Sequence, residues 1–157
     1  MNEKLYLFNP FDIKNWSNEQ VKEQLTILIA KYDVDAFTPY QYALNIENLA
    51  NQMYLIGEMI ARLHEAYYIN KAELENEESL QVYKQRDGWE QTHEGKAPAM
   101  SYFQALASNF VKEKRLALAK LESDLKRFKI AYDSIEAKMN AVKKKLEAVK
   151  YEEFGQG

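Results

Sequence analysis

Between Leu118 and Val149 the apolar residues Leu118, Leu121, Leu125, Phe128, Tyr132, Ile135, Met139, Val142, Leu146 and Val149 follow one another at alternating steps of three and four. A 3.5-residue period sustained this long fixes one helix with a single apolar seam, and such a seam is stable only when a second helix covers it. A partner lies upstream in the same chain. Tyr42, Ile46, Leu49, Met53, Ile56, Ile60, Leu63, Tyr67, Asn70 and Leu74 repeat the alternation, with Asn70 the single polar member. Asn70 there suits either a register-setting role or a hydrated gap. Two seams of similar length predict an all-α fold: a long antiparallel helical hairpin, coiled-coil-like, with a short N-terminal helix packed at its open end.

Caps and breakers set the boundaries of what reads as a single helical domain over 1–157. Residues 1–16, with Phe8, Pro10, Phe11 and Trp16, read as an extended arm pinned by its aromatics. Ser17 with Gln20 three residues on is a capping-box pattern, opening a short helix over 17–32 whose apolar face carries Val21, Leu25, Leu28 and Tyr32. Thr38, Pro39 and Gln41 combine an N-cap, a proline at the first helical position and a capping-box amide, so a long helix is expected over 38–87. Crowding of Glu73, Glu75, Glu77 and Glu78 is a place for it to bend or fray. Gly57 costs ~1 kcal/mol relative to Ala inside a helix, which a close helix approach would explain. Turn chemistry at Arg86-Asp87-Gly88-Trp89 and again at Gly95-Lys96-Ala97-Pro98 places the hairpin loop at 88–98 and a long return helix at 99–152, starting from Pro98 or Ser101. Folding about residue 93 sets Ile60 beside Lys126 and Met53 beside Asp133.

The chain carries no sign of chemistry. It has no cysteine, which excludes disulfides, thiolate metal sites and cysteine nucleophiles. His64 and His93 stand in no metal-ligand spacing, and there is no glycine-rich phosphate loop, serine elbow or two-metal carboxylate cluster. The sequence therefore predicts a non-enzymatic protein with no catalytic, metal or cofactor site. No segment approaches the ~18 uncharged residues of a membrane span and the N-terminus lacks a leader's apolar core, so the chain reads as cytoplasmic with no membrane partner.

Charge is unevenly placed along the chain. Residues 1–98 hold nine Lys and Arg against sixteen Asp and Glu, while residues 99–157 hold twelve against eight. Antiparallel helices would pair much of this difference across their flanks. Three surfaces stand out beyond that pairing. One is a basic stripe on the return helix, Lys112, Lys114, Arg115, Lys126, Arg127, Lys129, Lys143 and Lys144, whose unpaired members suit phosphate by counterion release. Another is the hairpin tip, where Arg86, Trp89, His93 and Lys96 gather beside Tyr83, Tyr102 and Phe103; these can plug the end of the seam or stack bases of a single strand. The last is an acidic face of Glu73, Glu75, Glu77, Glu78, Glu90 and Glu94, which reads either as a solvated helix face or as a mimic for a basic protein channel. Tyr40, Tyr54, Tyr68, Ile69 and Ile130 lie off both seams, a surplus that predicts a homo-oligomer.

This layout, with an Arg86-Asp87-Gly88 turn and a Lys-rich return helix containing Lys112-Glu113-Lys114-Arg115 and Arg127-Phe128-Lys129, resembles small phage early-region accessory proteins, among them the UvsY-type recombination mediators, over about residues 39–151. The resemblance implies a non-enzymatic oligomer that binds single-stranded DNA or a DNA-processing protein, with Lys112, Lys114, Arg115, Lys126, Arg127 and Lys129 as contacts. A different class fits the same chain: an inhibitor, anti-CRISPR-like, of a basic host nuclease or defence complex, acting through the acidic face. A coiled-coil spacer is the third reading.

Overall fold

The structure, a computed structural model, describes residues 12–154. Phe8, Pro10 and Phe11 of the expected arm lie outside the described residues. A single 3₁₀ turn, Ile13–Asn15, leads into helices α1 (Asn18–Ala30), α2 (Pro39–Thr92), α3 (Met100–Phe110) and α4 (Lys112–Phe154), and no strand occurs among the described residues. The long helices α2 and α4 pack against each other as the expected hairpin. By their contacts the residues form two compact units, Met1–Ala61 with Arg127–Gly157, and Arg62–Lys126.

In the first unit the sequence's cap chemistry is present in full. Gln20 N–H donates to Ser17 Oγ at 3.2 Å while Ser17 N–H donates to Gln20 Oε1 at 2.7 Å, a reciprocal box that satisfies two orphan amides of α1. Thr38 and Gln41 repeat the arrangement at the start of α2, at 3.0 Å and 3.2 Å. Val21, Leu55, Met59 and Ile13 form a buried cluster, with Trp16, Leu25, Leu28 and Phe128 packed on it. The short helix thus covers the groove beside α2 and α4, and the arm's last aromatic is indeed pinned.

Three amides on α2 hold α1 in place, and nothing in the apolar pattern announces them. Buried Asn45 accepts from Asp33 N–H at 3.0 Å and donates to the Asp33 carbonyl at 2.7 Å, closing the α1–α2 connection like a rung of sheet. Asn48 donates to the Leu28 carbonyl at 2.8 Å, supplying a partner to an end of α1 whose own ladder has run out, and buried Gln52 donates to Asn48 Oδ1 at 2.6 Å. No buried side-chain nitrogen or oxygen among the described residues lacks a partner. Farther along, Lys138 Nζ sits 3.7 Å above the Tyr32 ring, a cation–π contact that fastens the end of α1 to α4.

The second unit departs from expectation in four respects. First, α2 continues without interruption through Glu73 to Glu78 and past Asp87 to Thr92, so the connection is shorter than 88–98 and its single positive-φ residue is Gly95 (φ 118°). Arg86 to Glu90 at 2.8 Å and Trp89 stacked on His93 are one-turn pairs that carry the helix beyond Gly88. Second, the return is two helices: α3 begins at Met100 behind Ala99, and the chain bends at Val111 (φ −98°, ψ 8°) before α4. The amides of Val111 and Arg115 still reach the carbonyls of Ala107 and Val111, and Arg115 donates to Ser108 Oγ across the bend. Third, Asn70 is exposed and donates to the Ala66 carbonyl at 2.7 Å, so it is not inside the seam. Fourth, the register is displaced by about one turn: Lys114 and Arg115 of α4 meet Glu77 and Glu78 of α2. The same displacement holds in the first unit, where a Cβ on Gly57 would lie 3.9 Å from Tyr132 Cε2. These pairs are symmetric about Gly95 and its neighbours, not about residue 93. That 3.9 Å is ordinary contact, so close approach does not demand glycine at position 57.

Candidate nucleic-acid interface

The basic stripe begins in the first turn of α4, where Lys112, Lys114 and Arg115 stand against the positive end of the helix dipole. Acidic partners answer that strain. Lys114 Nζ donates to Glu77, and Arg115 donates both to Glu78 and, at 2.6 Å, to Ser108 Oγ. The hydrogen bond from Lys114 to Glu77 holds the ammonium above its ordinary pKa, its desolvation works in the opposite direction, and the charges of Glu77 and Glu73 add to the rise. Two members of the stripe and two of the acidic face are therefore each other's partners. Lys126 is drawn to Glu122, one turn back, at 2.9 Å.

What remains of the stripe is exposed. Lys112, in the second unit, has no hydrogen bond or ion pair among the described residues, and the same holds in the first unit for Lys129, Lys143 and Lys144. Arg127 is exposed and engaged by a neighbour. Lys129 and Lys143 are two heptads apart, and Lys150 lies one heptad farther on, so the three share the flank of α4 beside its seam.

At the tip, Trp89 and His93 stack with ring centres 5.0 Å apart and planes within 3°. His93 Nδ1 lies 2.8 Å from Thr92 Oγ1 and 3.2 Å from the Trp89 carbonyl, which fixes the ring at the C-terminal end of α2. Arg86 is bound to Glu90, and this hydrogen bond is the chief reason its guanidinium pKa is raised. Lys96 is exposed beside the turn. Phe103 is buried, and Tyr102 meets it edge-on at 5.4 Å. The tip thus holds a core residue, Phe103, and a stacked pair of half-buried Trp89 and exposed His93.

On the acidic face Glu77, Glu78 and Glu90 carry cationic partners, and Glu73, Glu75 and Glu94 are exposed. Two open depressions flank the α2–α4 ion pairs: one of about 420 Å³ between Glu73, Glu77, Lys84 and Lys114, the other of about 510 Å³ between Glu78, Ser79, Gln104 and Arg115. Both mix charges and neither brings together a nucleophile, a base and an oxyanion donor. No group of three His, Cys, Asp or Glu among the described residues could hold a metal ion, and no helix among them is long and apolar enough to cross a membrane. Searches against known proteins match no family model, no curated protein and no solved structure.

The sequence singled out neither Ser108, which braces Arg115, nor Lys138, which caps Tyr32. Ser108 could have been found from its spacing, two helical turns before Arg115. The Tyr32–Lys138 pair carries no local signal.

Proposed function

We propose that this protein is a non-enzymatic, cytoplasmic accessory protein that binds single-stranded nucleic acid, DNA in the first instance, and presents it to a DNA-processing complex. The observation that carries this reading is the set of exposed lysines on α4, Lys129, Lys143 and Lys144, left without partners among the described residues after Lys114, Arg115 and Lys126 are taken by glutamates. Lys129 and Lys143 share one helix flank and Lys144 stands beside it, and such cations track a phosphate backbone without reading sequence. The stacked Trp89–His93 pair, with His93 exposed, supplies separately an aromatic face of the kind on which bases stack. The acidic-face inhibitor is the alternative, with Glu73, Glu75 and Glu94 as the glutamates that remain exposed once Glu77, Glu78 and Glu90 are held by cations of the same chain.

The test is fluorescence anisotropy of a labelled single-stranded oligonucleotide across a salt series. Affinity should fall steeply with salt, and Lys129→Glu, Lys143→Glu and Lys144→Glu together should weaken binding and reduce the log–log salt slope by about 2, since each single-strand phosphate contact contributes ~0.7. Lys114→Gln, at a cation already bound to Glu77, should leave that slope unchanged. No binding at low salt refutes the proposal.

A further inference from the structure

The corner where α1 turns into α2 exposes large apolar side chains that no part of the described chain covers. Val34 is 80% exposed, Phe37 75%, Tyr40 73% and Leu44 43%. Tyr40 and Leu44 are one turn apart on the same face of α2, and Val34 and Phe37 precede them in the connection. With ~150–250 Å² for a fully exposed aromatic side chain and somewhat less for Val and Leu, these four leave about 500 Å² of apolar surface open. A standard interface takes ~800 Å² from each partner, of which about 60% is apolar, so this corner alone supplies the apolar share of one side.

The polar groups of the corner are arranged for burial. Asp33 N–H donates to Asn45, Asp35 N–H to the Asp33 carboxylate at 3.0 Å, and Phe37 and Thr38 N–H both to Gln41 Oε1, at 2.9 and 3.0 Å. A loop normally keeps such donors in water. Here they are satisfied within the corner, so covering it strands none of these backbone donors.

We infer that this corner is the contact between two copies of the chain, an isologous dimer in which Phe37 and Tyr40 of each copy pack on those of the other across a two-fold axis. A two-fold contact needs only one patch, used twice, and the area matches. The association is independent of nucleic-acid binding, because the corner carries none of the lysines assigned to that role.

Interfaces of this size hold at micromolar concentration or better, so sedimentation and light scattering of the pure chain up to about 100 µM decide the matter. The expected result is a dimer mass for the wild type and a monomer mass for Phe37→Asp with Tyr40→Asp, at unchanged helical circular dichroism, because both side chains are outside the core. Tyr40→Cys in this cysteine-free chain should give a covalent dimer on mild oxidation. The inference is overturned by a wild type that is monomeric throughout, by an assembly whose mass the double substitution leaves unchanged, or by a monomer that binds anionic lipid vesicles through the same two residues.

Discussion

Leu55 is the residue whose truncation best tests how α1 is held. It is wholly buried, and its cluster draws on the 3₁₀ turn, α1, α2 and α4 through Ile13, Val21, Met59 and the packed Trp16, Leu25, Leu28 and Phe128. Leu55→Ala removes three carbons, ~2.4 kcal/mol of transfer free energy at ~0.8 kcal/mol each. The cavity left behind adds about 1 kcal/mol for some 40 Å³ that the surroundings fail to fill. Met59, unbranched and adaptable, can swing into part of that space, which keeps the total near ~3 kcal/mol. For a chain of this length each kcal/mol moves the midpoint by ~2–4 °C, so a fall of about 6–12 °C is expected. Thermal melts followed by circular dichroism give the global value, and Trp16 fluorescence in a Trp89→Phe background reports on the cluster itself. Leu80→Ala, at a side chain 58% exposed, is the control and should stay within ~0.5 kcal/mol. If Leu55→Ala melted within 2 °C or so of the wild type, α1 would not be seated on α2 and α4 as described.

Two further substitutions separate glycines that look alike in sequence. Gly88 is helical with open space where a Cβ would stand, so Gly88→Ala should raise stability by ~0.5–1 kcal/mol. Gly95 has φ 118°, so Gly95→Ala should lower it by ~1–3 kcal/mol; urea titrations compare the two, and equal effects would place the turn elsewhere. Alkaline titration tests the α2–α4 pairing at Lys114. Because Glu77 raises the pKa of Lys114 in the folded chain, its contribution is complete below the unfolded lysine value of ~10.4 and is lost as pH rises through the folded value. The wild type should therefore lose more stability between about pH 9 and about pH 11.5 than Lys114→Gln does, and identical losses would show that the pair contributes nothing.

The seams were legible because burial is periodic. Every seam position from Leu118 to Val149 is buried or half-buried, as is each apolar member of the α2 seam from Tyr42 to Leu74. Caps were legible because they are local: Ser17 with Gln20, and Thr38 with Gln41, lie three residues apart in sequence. Contacts between distant residues left no such trace. Asn45 meets Asp33 twelve residues away, and Lys138 meets Tyr32 across most of the chain. The bend at Val111 has neither proline nor glycine to announce it.

The largest consequence for function comes from a small error in register. A turn centred on residue 93 would set Lys114 across from Ala72 and Arg115 across from Lys71, leaving both cations free for phosphate. A turn at Gly95 advances α4 by about one helical turn relative to α2 and delivers them to Glu77 and Glu78 instead. Heptads fix which faces meet, but a shift of one turn along them keeps most of the seam apolar while changing every charged neighbour at its flanks. The turn residue therefore decides which lysines remain free. Here it moves the candidate interface away from the start of α4, toward Lys129, Lys143 and Lys144, which no acid among the described residues holds.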